Sequence, residues 1–419
     1  MVLPGLFPGS NNGIFAIIQT LISLLFLGMI FFFPRIMMWQ VDRKLKSLLV
    51  DLDTYRNDAE MMFLKKLDPH QSKAFQRKFE SMKDFKFSQP TGLDPAGMVQ
   101  RLENVLDASE DKFERFVRDN TETEDEEELA DLNMAFKGVM GTHQVYKVMR
   151  HFRQLISKTK TFQLIGIVQM MMPIYEEIAE AQRDATRAFV DQAPIGDAIG
   201  PLVAAKMISS EPEEIAEDII HSEEELDGQE VHILKSKGPG ARLGKYGDAI
   251  DTLAEENDLE AIVTVDAAAK FEGEETGTVS EGVGVMMGGP GVEKRKIEDA
   301  ATEHDVPLEG IVVKQSPAEA SKPMKKAIYE AWNPAVEKAE KITEEFDGPV
   351  AVIGVGNSCG VGNTREDTSG IHSKLQKYWK EYEEQEEEEV SYMGLLGAMP
   401  GGDSMEGAAD SFLWRIPRW

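Results

Sequence analysis

Two stretches of the chain combine residues able to do chemistry with glycines that would let a ligand approach. The first surrounds Asp266, which ends the apolar run AIVTV at 261–265 and is followed by Glu272, Glu274 and Glu275. A carboxylate at the end of a buried strand can point into a crevice, and two carboxylates together can share a proton, activate water or hold a metal ion. Asp266 and Glu275 are therefore the candidate catalytic pair; the plainer alternative is an Asp that caps the next turn. The second stretch is KSKGPGARLGK at 235–245, where Lys235, Lys237, Arg242 and Lys245 surround Gly238 and Gly240 ahead of a helical pattern. Backbone N–H groups, a helix dipole and cations converging in this way suit an anion. Lys237, Arg242 and Lys245 are the candidate ligands of a phosphate or another anionic small molecule, against the alternative of a solvated surface turn. Cys359 lies in the Gly-rich segment 354–363 with no histidine partner in view, and an inert packed thiol is expected there. A single cysteine excludes an intramolecular disulfide and an all-cysteine metal cage, and no HExxH spacing occurs among the seven histidines. No residue is assigned to a metal, and the cofactor is not readable.

These residues need elements to hold them. Short β-type runs, VHIL at 231–234, AIVTV at 261–265, GIVV at 310–313 and VAVIGV at 350–355, alternate with helical pattern and Gly-rich turns. Such alternation predicts a three-layer αβα domain with a mostly parallel sheet, whose site is built from loops at the carboxyl ends of the strands. Two further loops then supply ligand-binding candidates: Gly196 and Asp197 from PIGDAIGP at 194–201, and Gly354, Gly356 and Asn357 from GVGNSCGVGN at 354–363.

Ahead of that domain the sequence is helical, with apolar residues at helical spacing from Leu45 to Phe63 and from Leu132 to Ile156, and a helix started by Asp94-Pro95. The acidic run ETEDEEE at 122–128 reads as a solvated linker or helix start. Residues 14–33 form a charge-free apolar run long enough, at roughly 1.5 Å per residue, to span a bilayer. Arg35, Arg43, Lys44 and Lys46 follow it, so the positive-inside rule predicts a single-pass cell-membrane protein with the rest of the chain in the cytoplasm. A second apolar stretch at 162–175 suits an interfacial or core helix. The expected organisation is an N-terminal segment and anchor at 1–38, a helical bundle at 39–192, the α/β domain at 193–374, and a disordered acidic, Gly-rich tail at 375–419. With 74 acidic against 45 basic residues and a formal charge of −29, the surface repels polyanions, and nucleic acid is not an expected partner. Such an excess suits a salt-rich cytosol.

The order of anchor, helical bundle, PIGDAIGPLVAAK, VDAAAKFEGEETGTVSEGVGVMMGGPGVEK and VAVIGVGN resembles an archaeal family of membrane-anchored proteins among the domains of unknown function. That likeness implies an archaeal source and no activity. The α/β part also resembles hydrogenase-maturation proteases: PIGDAIGPLVAAKMI is similar to their Gly-Asp-x-x-Gly-Pro helix start, AIVTVDA to their Val-Asp-Ala strand, and VAVIGVGN to their first strand. TGTVSEGVGV resembles a loop of the related spore germination protease. Because VAVIGVGN comes last here, the resemblance implies a circularly permuted fold with this strand beside the helix at Gly200. It also makes Asp266 an acidic site residue. The second metal-binding acid of those proteases would fall at Ala198, next to Asp197, and their histidine near Gly289-Pro290, with His304 a poor substitute, so the metal set is incomplete.

Three functions stay open: a membrane-tethered α/β protein with a ligand or peptide site, acting as a peptidase-like hydrolase if it is an enzyme; a non-enzymatic membrane scaffold or interaction protein whose helical bundle and tail assemble partners, a second copy bound through the bundle among them; and a phosphate- or nucleotide-binding module.

Overall fold

The computed structural model describes residues 13–67, 72–85, 98–226, 228–285 and 291–397. The Asp94-Pro95 helix start, the Gly289-Pro290 position and the chain end from 398 lie outside the described residues. Helices α1 (Gly13–Leu67), α2 (Lys73–Lys83), α3 (Met98–Arg118), α4 (Glu126–Thr159) and α5 (Phe162–Val190) come first. The rest alternates: α6 (Ile199–Met207), β1 (Glu213–Ala216), β2 (Ile219–Leu226), β3 (Gln229–Ser236), α7 (Tyr246–Glu256), β4 (Ala261–Ala269), β5 (Val279–Val283), α8 (Val292–Glu303), β6 (Leu308–Gln315), α9 (Pro317–Ser321), α10 (Lys326–Glu330), α11 (Trp332–Thr343), β7 (Val350–Gly354) and α12 (Ile371–Gly397). Compactness divides the chain into two units, residues 1–53 with 145–176, and residues 54–144 with 177–419.

In the first unit Val41, Leu45, Leu48 and Leu52 of α1, Met149 and Ile156 of α4, and Ile165, Val168 and Met172 of α5 are buried. Their spacing of three and four residues is that of one helix face. The run at 14–33 lies on α1, and its described side chains from Leu21 to Phe33 include Leu25 at 73% exposure and Phe26 at 59%. Among the described residues no helix is long and apolar enough to cross a membrane.

The second unit is built on a seven-stranded sheet of order β1-β2-β3-β7-β4-β6-β5. Its central four strands are parallel, and the edge strands β1, β2 and β5 pair antiparallel. Alternate residues face opposite layers, as the pleat requires. Val263 and Val352 join Leu202 of α6, Val336 of α11 and Trp379 of α12 in one core, whereas Ile262 and Ile353 join Ile250 of α7 and Ile297 of α8 in the other. The first core continues into Phe63, Phe79, Phe116 and Phe136 of the preceding helices. The segment from 375, expected as a disordered tail, is instead helical to Gly397. Leu375, Tyr378 and Trp379 bury there, and the Trp379 indole donates to Met324 O at 2.9 Å. Its acidic composition hid three apolar anchors at helical spacing.

VAVIGV pairs in parallel with AIVTV, as expected, and lies against the 194–201 turn. Val355 N donates to Val265 O at 2.8 Å, and a Cβ on Gly200 would land on the carbonyl oxygens of both residues. Backbone packed on backbone leaves nothing free to move aside. Gly200→Ala should therefore cost roughly 1–3 kcal/mol, read as a lowered denaturation midpoint. Gly370→Ala, whose Cβ meets nothing within 4 Å, should stay within ~0.5 kcal/mol of wild type.

Candidate functional site

A 3-10 turn at Gly196–Ala198 leads into α6, with Pro201 in the first helical turn, where proline's missing N–H costs no hydrogen bond. The turn presses on the carboxyl end of β7. Gly356, at φ 137, has no room for a Cβ against Asp197 O, and Asn357 N donates to Asp197 Oδ2 at 2.9 Å. The close approach holds the Asp197 carboxylate at the end of the parallel strands, where Asp266 ends its own apolar run on β4.

Asp266 is 4% exposed. Its Oδ1 accepts from Ala267 N at 2.6 Å, and its Oδ2 has no hydrogen-bond partner among the described residues. Burial pushes this carboxyl well above the usual range, and the neighbouring Asp197 charge adds to the shift, against the Ala267 N–H. Burial raises Asp197 as well, opposed by the Asn357 N–H. Both carboxyls thus resist ionisation, and the Asp197 charge adds to that resistance at Asp266. Asn357 Nδ2 and Gln315 Oε1, at the same end of the sheet, are also buried without a hydrogen-bond partner among the described residues. Gln315 Nε2 donates to Gly196 O at 3.1 Å. Gln315 was not singled out from the sequence, although its place at the end of a predicted strand is the same signal that marked Asp266.

Glu275 does not belong to this site. It is exposed on the loop after β4, where its carbonyl accepts from Thr278 Oγ1. The partner of Asp266 is Asp197, because the Gly-rich loop carries Glu275 out to solvent while α6 brings Asp197 in. Glu274 pairs with Lys314. Among the described residues no group of three or more His, Cys, Asp and Glu is placed to hold a metal ion.

The anion loop is the second correction. Gly240 N donates to Glu127 Oε2 at 2.5 Å and Ala241 N to Asp131 Oδ1 at 2.9 Å. Arg242 pairs with Glu127 at 2.5 Å and Asp218 at 3.2 Å, Lys245 with Asp107 at 3.1 Å, and Lys237 with Glu214 at 2.7 Å. The loop does gather carboxylates, but they are the chain's own: Glu127 and Asp131 from the start of α4, Asp107 from α3, and Glu214 and Asp218 from β1 and the turn after it. Lys235 is fully buried; its amine donates to Ser236 O at 2.7 Å and Asn363 Oδ1 at 3.1 Å, and burial pushes it down to about 7. Ser358 ties the two glycine loops together, donating to Gly240 O at 2.6 Å. A cavity of about 420 Å³ opens on the far side of this junction, lined by Gly238, Pro239, Gly362, Asn363 and Asp367, and does not include Asp266. Cys359 is buried, donates to Ala193 O at 3.3 Å, and burial with the adjacent Asp131 raises its thiol far above a reactive range.

Family models match two successive parts of the chain: protein of unknown function (DUF1512), N-terminal domain, over residues 19–192, and domain of unknown function (DUF1512), C-terminal, over residues 195–362. The chain belongs to the DUF1512 family. No curated protein and no solved structure matches it. The C-terminal DUF1512 match takes in Asp197, Asp266, Gln315 and Asn357 together, whereas Glu127 and Asp131, which fill the basic loop, come from the N-terminal one.

Asp131 generates a stability prediction. Burial raises its carboxyl to about 7, opposed by Gln192 and the Ala241 N–H. The folded chain thus binds a proton that the unfolded chain releases at ordinary carboxylate pH. The stability this contributes is complete below about pH 4 and is lost as pH rises through about 7. Asp131→Asn keeps an acceptor for Ala241 N, and its denaturation midpoint should fall less than that of wild type between about pH 5 and pH 8.

Proposed function

We propose that the chain is a membrane-tethered hydrolase of peptide or related amide bonds, with Asp197 and Asp266 as its acid–base pair. One observation carries the reading: a buried carboxyl, Asp266, with an unpartnered oxygen, held against a second raised carboxyl at the carboxyl ends of the central strands. With one proton between them, the ionised member takes a proton from attacking water, and the protonated member donates to the carbonyl oxygen or the leaving nitrogen. A carboxyl raised above its ordinary range can hold a proton to donate where an exposed one would already be ionised. Asn357 orients Asp197 through its N–H, and Gln315 holds Gly196. The motif resemblance to hydrogenase-maturation proteases supports the same reading, and β7 lies beside β4 and α6 as a permuted arrangement of those motifs would require. The exposed apolar residues between Leu21 and Phe33 support a single span there, and the acidic excess of the remaining chain suits a salt-rich archaeal cytoplasm.

A non-enzymatic reading is favoured by one feature, the exposed apolar stripe Ile167, Met170 and Ile174 on α5, which fits self-association of the helical unit. The two are separated by incubating the full chain with a peptide mixture from a digested cell extract and reading new termini by mass spectrometry. Asp266→Asn and Asp197→Asn should each lower cleavage roughly 10²–10⁴-fold, the usual contribution of a general acid or base, while Glu275→Gln leaves it unchanged. Cleavage equal to wild type in a folded Asp266→Asn chain excludes the carboxylate mechanism, and no cleavage by wild type favours self-association.

A further inference from the structure

Charge is not spread evenly over the chain. The unit formed by residues 1–53 and 145–176 holds nine basic and four acidic residues, a formal +5, against 36 basic and 70 acidic residues, a formal −34, in the rest. Within it, residues 150–160 contain Arg150, Arg153, Lys158 and Lys160 and no acid. Lys158 and Lys160 are exposed at the α4–α5 turn, where Lys160 takes a left-handed conformation at φ 51 and its N–H closes α4 on Ile156 O. Arg35 and Arg43 are exposed on α1. Lys44, Lys158 and Lys160 have no ion pair among the described residues, whereas Lys237, Arg242 and Lys245 of the other basic loop are all paired.

The position of this turn along α1 follows from contacts. Arg153 Nε donates to Asp42 Oδ1 at 3.0 Å. Lys158, five residues past Arg153 on α4, and Arg35, seven residues before Asp42 on α1, each lie within roughly 10 Å of this contact along their helices. The contact thus joins the helix that leads into Lys160 to the helix that carries Arg35, immediately beyond the apolar run that ends at Phe33.

We infer that the α4–α5 turn is a second membrane contact, in which Lys158 and Lys160, with Arg35, Arg43 and Lys44, bind the headgroups of anionic lipids. The inference rests on the tether reading for where the bilayer lies. Its physical basis is charge complementarity: each lysine near an anionic surface strengthens binding roughly fivefold, and on a chain this acidic a basic patch at the membrane end offsets repulsion of the whole.

The test uses the full chain carrying Thr161→Cys, which labels selectively because Cys359 is buried, with an environment-sensitive fluorophore. The labelled chain is reconstituted into phosphatidylcholine vesicles with or without phosphatidylglycerol, all containing a headgroup-depth nitroxide quencher. The expected result is quenching in the anionic vesicles that is much weaker in the neutral ones and falls roughly fivefold, as bound over free turn, for each of Lys158→Gln and Lys160→Gln. No quenching in either vesicle, or quenching independent of lipid charge and of both lysines, overturns the proposal. Alkaline carbonate extraction of the same vesicles reports the 14–33 span separately. Release by carbonate with lysine-dependent quenching intact removes the tether and leaves the headgroup contact standing.

Discussion

The structure turns on a contact between backbones. Gly200, Gly354 and Gly356 have no Cβ, so the start of α6 lies directly on the carboxyl ends of β4 and β7, at distances where a methyl group would strike a carbonyl oxygen. A side chain there would force α6 away from the strand ends by about an ångström. Asn357 would lose Asp197, and Asp197 would leave the neighbourhood of Asp266. The site is thus a consequence of close packing, with two carboxyls held in a water-poor place by a framework that has no slack. Burial of such groups is unfavourable unless they are paired or neutral, and both carboxyls are raised accordingly.

The same reasoning accounts for the basic loop between β3 and α7. Its N–H groups and guanidinium were free to bind any anion of suitable shape, and the chain provides one in Glu127 and Asp131. A helix start rich in acid is favourable in itself because of the helix dipole, and here those residues also fasten the N-terminal helices to the sheet. A free phosphate would have to displace a carboxylate already within 2.5 Å of Arg242.

Much of the sheet was legible because its signal is local. Four short apolar runs separated by helical pattern set out the parallel strands, and the motif likeness set β7 beside β4. The strands β1, β2 and β5 were not among those runs; β2 in particular carries Glu223, Glu224 and Glu225 on an edge that faces solvent. Asp266 was legible for the same local reason, a carboxylate ending a buried strand. Its partner was misassigned to Glu275, since nearness in sequence says little when a glycine loop intervenes, whereas Asp197, sixty-nine positions earlier, arrives through α6. The fate of the basic loop depended on Glu127, more than a hundred residues away in the chain, and no spacing rule reaches that far.

The central claim is that burial and the neighbouring Asp197 charge keep the Asp266 carboxyl protonated above the usual carboxylate range. It is tested most directly by following the side-chain carboxyl carbons of ¹³C-aspartate-labelled protein through a pH titration, with Asp266→Asn and Asp197→Asn to assign the signals. A carboxyl that stays protonated well above the usual carboxylate range, disappears in Asp266→Asn and titrates at lower pH in Asp197→Asn is the predicted result. If both residues ionise in the ordinary carboxylate range, each indifferent to removal of the other, the carboxyls do not form a pair and the account is wrong.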